Sequence, residues 1–329
     1  MPNAVGTGFA YTGYLAGCRR DARFLPRVVL GPRPAGLPFH EDDRVYVMGE
    51  LSNAQNYGHL LVDSVLPTLS VADAFGLAPA QTQYVGFTNC STMPMAAGDT
   101  SQGLNSAVCE RQVERWMVPI LSHPPLFPPH ADGCFRRAIY GHEHQLSLGG
   151  MYLHRSAAMR TARLQLHRTL GVAPLVDFSA RAHKVVVLQK VPLHTAEFLK
   201  TMCDNVRQWA SAIEPQPDVE CFRPGEFSVK QQLETISTAT TVVAEHGSTS
   251  YMSIFQPPGS SLLILVPSVD LKPFKEVQVL LYNTDVQAFY AMNSPLEAGT
   301  GPGVLLMALE RAGRRLNVGG HNATALRIK

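Results

Sequence analysis

Between residues 183 and 267, short apolar segments alternate with helical patterns, and this alternation restricts the fold more than any other feature of the chain. The segments HKVVVLQK, DVECFRP, TTVVAE and SLLILVP have the length and composition of strands. Helical segments connect them, and one places Ser228 and Gln231 at the spacing of a capping box. Strands separated by helices in this way form parallel sheets that are covered on both faces. The stretch therefore predicts a doubly wound α/β domain.

A second, more interrupted α/β unit is predicted at roughly residues 44 to 160. It combines the strands DRVYVMGEL and TQYVGF with the helix YGHLLVDSVLPTLSVADAFG. We therefore predict two domains, residues 1–165 and 166–329, with a Pro-, Gly- and Cys-rich insert at 88–135 in the first. A last helix is predicted at 304–312, and the sequence leaves open whether it crosses back onto the first domain.

The composition excludes several classes of protein. Hydrophobic residues make up 45% of the chain and charged residues 16%, which supports a sizeable core. The net charge is only +2, without a concentrated basic stripe, so nucleic acid is not expected as a partner. The sequence has no apolar run long enough to span a bilayer and no secretory signal at its start. We therefore expect membrane contact only through an anchor outside this sequence.

The cysteines and histidines make a metal site unlikely on spacing alone. None of the six cysteines forms a C-x-x-C pair, so no structural zinc is expected. His142 and His144 stand two apart without a third ligand nearby, which is more typical of a polar loop. Cys90 and Cys109 flank a Gly- and Ser-rich insert and are suited to a disulfide in an oxidising compartment, but scattered thiols explain them equally well. The compartment stays open between the Golgi or ER lumen and the cytoplasm.

A candidate site lies at VVAEHGSTS, where a strand ends and a helix begins. In open parallel sheets, ligands bind beyond the carboxyl ends of the strands. The first N–H groups of the helix favour an anion such as phosphate, and Gly247 leaves room for a close approach. The alternative is a plain strand-to-helix turn in which His246 only caps the helix.

A second candidate is the pair His59 and Asp63, which stand four residues apart and so share one face of the predicted helix. A carboxylate beside an imidazole orients it and raises its basicity, which suits a general base. A polar pair that merely stabilises the helix would show the same spacing.

Two segments carry a resemblance to a known family. NYGHLLVDSVLPTL resembles the first signature of glycosyltransferase family 61, the DUF563-type enzymes, and FSVKQQLETISTATTVVAEHGSTSYMSIFQPPGSSLLILVP resembles the second. The order and spacing of both signatures agree with the family. The resemblance implies a GT-B-like architecture, in which two Rossmann-like doubly wound domains face a cleft. The N-terminal domain would then bind the acceptor and the C-terminal domain the sugar nucleotide.

The resemblance also implies a reaction. Members are inverting transferases that move xylose, arabinose or GlcNAc from a UDP-sugar to a glycan or glycoprotein hydroxyl, and they need no metal or other cofactor. In-line attack places a base and the leaving diphosphate on opposite sides of the sugar. The resemblance thus implies Asp63 or His59 as the base, with the diphosphate on the C-terminal side. The alternative is a non-catalytic relative that binds a nucleotide or a glycan.

The residues expected to bind the sugar nucleotide follow from the second signature, and some of them depart from it. His246 and Gly247 match the family, while Ser248 stands where alanine is usual, with Thr249 after it, and Gln232 or Gln231 matches the polar residue of the preceding helix. Glu245 replaces a small residue and would repel a phosphate unless it turns away or binds a sugar hydroxyl. Lys190 follows a Gln where the family often has Ser-Arg, and lysine lacks the bidentate fork of arginine.

Overall fold

A computed structural model describes most of the chain. The described residues are 36–49, 51, 54–86, 88–92, 105–128, 130–131, 133–140, 155–173, 183–190, 200–266, 286–292, 299–312 and 327–328. Within these ranges, no helix is both long and apolar enough to cross a membrane.

A three-stranded parallel sheet forms the centre of the N-terminal half. Its strands β2, Val45–Gly49, β3, Thr82–Gly86, and β5, Ala138–Tyr140, lie in the order β3-β2-β5. The short strands β1, Phe39–His40, and β4, Cys134–Phe135, pair beside it.

Three helices pack around this sheet. Helix α1 has an α-helical turn Tyr57–His59, a π-helical segment Leu60–Val65 and an α-helical segment Leu66–Ala74. Helix α2 is built in the same way, from Ser106–Gln112, a π-helical Val113–Met117 and Val118–Leu121. Helix α3 spans Arg155–Leu170 and contacts both α1 and α2. The predicted domain boundary after residue 165 falls inside α3, and the division into domains stays a prediction.

A five-stranded parallel sheet forms the C-terminal half and confirms the predicted alternation. Its order is β11-β10-β9-β6-β8. The strands are β6, Lys184–Leu188; β8, Asp218–Phe222; β9, Thr241–Glu245; β10, Ser261–Val266; and β11, Gln287–Met292. A small antiparallel pair joins β7, Ile213–Glu214, to β12, Arg327–Ile328.

The connections between these strands are helical. Helix α4, Met202–Ser211, leads to β8, and helix α5, Val229–Ser237, leads to β9. Ser228 and Gln231 form the predicted capping box of α5. A 3-10 helix, Ser248–Phe255, connects β9 to β10. Helix α6, Gly301–Arg311, begins three residues before the predicted start at residue 304, because Pro302 suits the first turn.

Side chains of β9 and its neighbours alternate between two apolar cores. Val186, Val242 and Ile264 belong to the larger core, which continues into α1, α2 and α3. Val187 and Val243 belong to the second core, which α4 and α6 cover. The larger core also contains Tyr84 of β3, so both parallel sheets contribute side chains to it. The α/β class with parallel sheets is confirmed.

Helix α6 does not cross back onto the N-terminal half. Leu305, Ala308 and Leu309 are fully buried against α4 and the five-stranded sheet. Ala308 and Leu309 lie three and four positions after Leu305, so the three side chains form a single apolar stripe, and this stripe packs on the sheet that precedes the helix.

Two disulfides are present among the described residues. Cys90 and Cys109 are joined, with their Cα atoms 5.5 Å apart, which decides between the two alternatives that the sequence left open. A second disulfide, which sequence spacing did not suggest, joins Cys203 on α4 to Cys221 on β8. The first ties α2 to the loop after β3.

The buried His167 is expected to make stability depend on pH. Burial lowers the pKa of His167 below its usual 6.5, although the hydrogen bond between Nδ1 and the Val172 carbonyl oxygen opposes this. The unfolded chain then binds a proton more readily, so the free energy of unfolding falls as pH drops from about 7 through 6.5 towards the lowered pKa. Burial also lowers the pKa of His183, so this residue changes the free energy of unfolding with pH in the same direction.

Urea unfolding of wild type and His167→Asn between pH 7.5 and 5.5 checks this expectation. Asparagine can still donate to the Val172 carbonyl but does not titrate. We expect the variant to lose part of the pH dependence, with the remainder left to His183. An unchanged slope in the variant would contradict the role of His167.

Candidate active site

Strand β6 is the point where the strand order of the large sheet reverses. The chain runs from β6 outward to β8 on one side and then returns to β9 on the other side. In open α/β sheets, ligands bind at such a switch point, outside the carboxyl ends of the strands. Gln189 and Lys190 follow β6, Gly225 follows β8, and Ser248 follows β9 closely. The topology therefore places these residues around one crevice.

Gly247 shapes the turn at which the 3-10 helix begins. Its φ of 112° and ψ of −153° lie in a region that only glycine adopts readily. Its carbonyl oxygen accepts from the Ser250 backbone N–H at 3.0 Å and from the Ser250 hydroxyl at 2.7 Å. The His246 N–H donates to the Leu265 carbonyl at 3.0 Å, which fixes the strand end. Together these contacts direct the start of the helix, Ser248 and Thr249, towards the crevice.

Gly58 brings the two signature segments into contact. A Cβ atom at this position would lie 2.8 Å from Cδ2 of Tyr251 and 3.2 Å from Cα of Ser248. Residues 57–59 and the 3-10 helix can therefore pack closely only because residue 58 has no side chain. The histidine of the first segment, His59, thus lies beside the helix that begins at Ser248.

His59 and Asp63 form the predicted pair. Nδ1 of His59 lies 2.7 Å from Oδ2 of Asp63. The Asp63 side chain is 5% exposed and that of His59 is 27% exposed, so the imidazole is the more accessible partner. Asp63 lies on the π-helical segment of α1, and such segments are frequent at functional sites. Its second oxygen, Oδ1, is buried with no hydrogen-bond partner among the described residues.

A cleft of about 500 Å³ lies between the two halves of the chain. Its size is typical of small-molecule sites. The N-terminal wall includes Gln55, Asn56, Tyr57, Asn105, Gln112 and Arg115. The C-terminal wall includes Gln189, Lys190, Gly225, Gln232, Ser248 and Thr249. The predicted cleft between two α/β halves is therefore present.

The charge of the cleft is positive. Among the described residues that line it, Arg115 and Lys190 are the charged ones, and no carboxylate is present. Nη2 of Arg115 donates to the Phe227 carbonyl oxygen at 2.7 Å, and Nε2 of Gln232 donates to the same oxygen at 3.0 Å. One carbonyl thus joins the N-terminal wall to the C-terminal wall. The arrangement suits an anionic ligand.

Comparison with known proteins identifies the family. The profile of the family described as Glycosyltransferase 61 matches residues 57–263, which is more than half of the chain. The chain belongs to glycosyltransferase family 61. The matched range includes His59, Asp63 and the 3-10 helix, so it contains most of both signature segments and most of the residues that line the cleft. This family 61 member is accordingly a glycosyltransferase.

Two further comparisons add little detail. No curated protein matches the chain. Among solved structures, the chain is similar to the heptosyltransferase WaaC of E. coli with ADP-2-deoxy-2-fluoro heptose, at 11% sequence identity and a TM-score of 0.35. That similarity covers 82% of this chain and 100% of the other.

The structure brings some of the residues predicted for this family 61 site to the cleft but not all. Lys190, Gln232, Ser248 and Thr249 line it. The described lining does not include His59, Asp63, His246 or Gly247, which belong to the same two segments. The binding and catalytic roles of all these residues stay predictions.

Glu245 lies away from the cleft. It is 4% exposed and ends β9, opposite Leu265 in the sheet register. Side chains alternate along a strand, so Glu245 shares a face with Val243, on the side that α4 and α6 cover. Glu245 is therefore not among the residues that line the cleft, and its predicted role in binding the sugar nucleotide stays a prediction.

Arg115 and Tyr57 are cleft residues that sequence reasoning missed. Arg115 belongs to an insert with little periodicity, and only its spacing from Gln112 and Val108 on one helix face could have indicated it. The Tyr57 ring packs on Trp116, with ring centroids 4.6 Å apart. Trp116, which also lines the cleft, stacks in turn on Phe255 of the 3-10 helix and so links the two walls.

No group of three or more His, Cys, Asp and Glu side chains suited to a metal ion occurs within the described ranges. His142 and His144 lie outside them. Metal independence of this family 61 chain stays a prediction.

Proposed function

We propose that the chain is an inverting glycosyltransferase that moves a xylose, arabinose or GlcNAc unit from a UDP-sugar to a hydroxyl of a glycan or glycoprotein. The observation that carries this proposal is the cleft at the switch point of the large sheet, with Arg115 and Lys190 in its opposing walls. A sugar nucleotide has a diphosphate that needs positive charge and donors, and this cleft offers both.

The donor diphosphate binds on the C-terminal side. Lys190 supplies a positive charge, and Ser248 and Thr249 bring the first N–H groups and hydroxyls of the 3-10 helix. Arg115 approaches from the opposite wall, where its bond to the Phe227 carbonyl orients the guanidinium. Since these two cations can balance the charge that develops on the leaving UDP, the reaction needs no metal ion.

His59 is the general base, and Asp63 is its positioning residue. Asp63 is buried and holds Nδ1 of His59, so it acts through the imidazole and not on the substrate. Nε2 is then the nitrogen that takes the proton of the acceptor hydroxyl. His59 belongs to the N-terminal segment, whereas Lys190 and the start of the 3-10 helix belong to the C-terminal side, and we expect these two groups to lie on different sides of the sugar, as in-line attack with inversion requires.

The two disulfides support an oxidising compartment such as the Golgi or ER lumen. Disulfides persist in such compartments and are rare in the cytosol of most organisms. We therefore place the reaction in a lumen of this kind.

Titration calorimetry with UDP and UDP-sugars tests the donor proposal. We expect UDP to bind more tightly than ADP, and Lys190→Ala and Arg115→Gln each to weaken UDP binding about tenfold, since each removes a charged hydrogen bond from a partly exposed site. Lys230→Ala, an exposed lysine on α5 outside the cleft, is the matched control and should leave affinity unchanged.

The outcomes separate the proposal from its alternative. Release of UDP from one of the UDP-sugars, undiminished by EDTA, supports a metal-independent transferase. UDP binding without turnover towards any acceptor or water supports a non-catalytic relative. Absence of any UDP binding contradicts both.

A further inference from the structure

One face of helix α2 forms most of the N-terminal wall. Asn105, Val108, Gln112 and Arg115 all line the cleft, and their spacing of three, four and three positions places them on one side of the helix. The first three are uncharged, and Arg115 stands at the far end of the row. The wall therefore divides into a neutral part and a cationic end.

Apart from Arg115, the charged residues of the same helix face away from the cleft. Glu110, Arg111 and Glu114 are exposed to solvent, and none of them lines the cleft. From Asn105 to Gln112, the helix therefore lines the cleft with two amides and a valine, which form a neutral surface with hydrogen-bonding groups.

Backbone contacts orient the amides of this wall. Oδ1 of Asn105 accepts from the Val108 N–H at 3.1 Å, and Oδ1 of Asn56 accepts from the Gly58 N–H at 3.0 Å. Because the oxygen of each amide is engaged, the NH₂ end is the group that each can offer to a ligand. Oε1 of Gln55 accepts from the Asn105 N–H at 2.7 Å, which ties the start of α2 to the segment before α1.

The disulfide between Cys90 and Cys109 holds this helix in place. Cys109 lies on α2 between Val108 and Gln112 and is fully buried. The row of cleft residues is thus fixed before a ligand arrives, and this lowers the entropic cost of binding.

We propose that this neutral face of α2 is the acceptor subsite and that it binds an uncharged sugar residue. The inference rests on the proposed function, since it assigns the second substrate of the same cleft. Sugar hydroxyls accept from the amide NH₂ groups of Asn105 and Asn56 and can also donate to Gln112, while Val108 contacts the C–H groups of the ring. Arg115, at the far end of the row, is engaged by the donor diphosphate, so a carboxylated sugar or an acidic peptide finds no charged partner on the neutral part of this face.

Variants on this face test the proposal. Asn105→Ser keeps an oxygen that can cap α2 but removes the NH₂ donor, and Gln112→Met keeps the size of the side chain but removes its polar atoms. Arg111→Gln, on the outward face of the same helix, is the matched control. Each protein is assayed for UDP release with p-nitrophenyl glycosides of xylose, galactose, mannose and GlcNAc, with a p-nitrophenyl glucuronide, and with a Ser- and Thr-rich peptide.

We expect at least one neutral glycoside to increase UDP release and the glucuronide and peptide not to do so. Asn105→Ser and Gln112→Met should each raise the KM for that glycoside about fivefold, the effect of one lost hydrogen bond. Their UDP affinity and their slow hydrolysis of the UDP-sugar should equal those of Arg111→Gln and wild type.

Other results would contradict the acceptor subsite, and they can be distinguished from a failure of the proposed function. Equal or greater stimulation by the glucuronide or the peptide, or an unchanged KM in both variants, would overturn the acceptor subsite while leaving donor binding intact. A loss of UDP affinity in the variants that matches their rise in KM would assign the face to the donor. Saturation-transfer NMR with the same glycosides and no nucleotide measures acceptor binding separately, so failure of the UDP-dependent function does not hide the result.

Discussion

Replacing His59 with alanine is expected to lower kcat for sugar transfer by about 10²–10⁴-fold, the range that a general base contributes, while UDP affinity is retained. The imidazole is the accessible member of the pair, and Asp63 holds its Nδ1 at 2.7 Å. Without the imidazole, nothing on this segment takes the acceptor proton in the transition state. Single-turnover transfer with the glycoside identified above measures the effect, and calorimetry with UDP confirms that the donor site is intact.

Asp63→Asn distinguishes positioning from proton transfer. The amide keeps the size of the side chain but replaces the carboxylate oxygen that holds Nδ1 of His59, so the rate should fall, although less than in His59→Ala, which removes the proton acceptor itself. Asp73→Asn, an exposed acid on the same helix, is the control. Full transfer rates in both His59→Ala and Asp63→Ala would show that the base lies elsewhere.

Gly58→Ala is expected to destabilise the fold and to weaken UDP binding together. The new Cβ would lie 2.8 Å from the Tyr251 ring and 3.2 Å from Cα of Ser248, so the segment with His59 and the 3-10 helix must move apart. Overpacking of this kind costs about 1–3 kcal/mol. Because Ser248 lines the cleft, the same displacement disturbs the donor site.

Gly303→Ala is the matched control for Gly58→Ala. It lies on α6, where an added Cβ meets nothing within 4 Å, and alanine is the better helix former, so stability should stay equal or rise slightly. Urea unfolding and UDP calorimetry on both variants give the comparison. A Gly58→Ala protein as stable and as tight for UDP as wild type would show that the close contact is not required.

Much of the fold follows from local pattern. The alternation of apolar segments with helices between residues 183 and 267 predicted parallel strands, and the structure confirms them as β6, β8, β9 and β10. The four-residue spacing of His59 and Asp63 predicted their contact. Ser228 and Gln231 likewise form the capping box that their spacing indicated. The two residue pairs each lie within one turn of helix, and each strand was predicted from its own residues. Such local geometry follows directly from sequence separation.

Other features needed the tertiary structure. Arg115 donates to the Phe227 carbonyl oxygen across 112 positions of sequence, and no pattern in either segment predicts this contact. Glu245 stood next to the candidate histidine in sequence, yet strand alternation turns it towards α4 and α6. The path of α6 was open in sequence because an apolar stripe shows that a helix is buried without showing on which sheet.

The sequence by itself thus determined the family, the parallel α/β class and the two segments that carry the site. Only the tertiary structure decided how those segments meet. Gly58 looked like an ordinary residue of a helix start, and its importance comes from Ser248 and Tyr251, which lie about 190 positions away in the chain and 2.8–3.2 Å away in space from where its Cβ would stand. Local propensities encode torsions and periodicity, whereas such a contact depends on how whole elements pack.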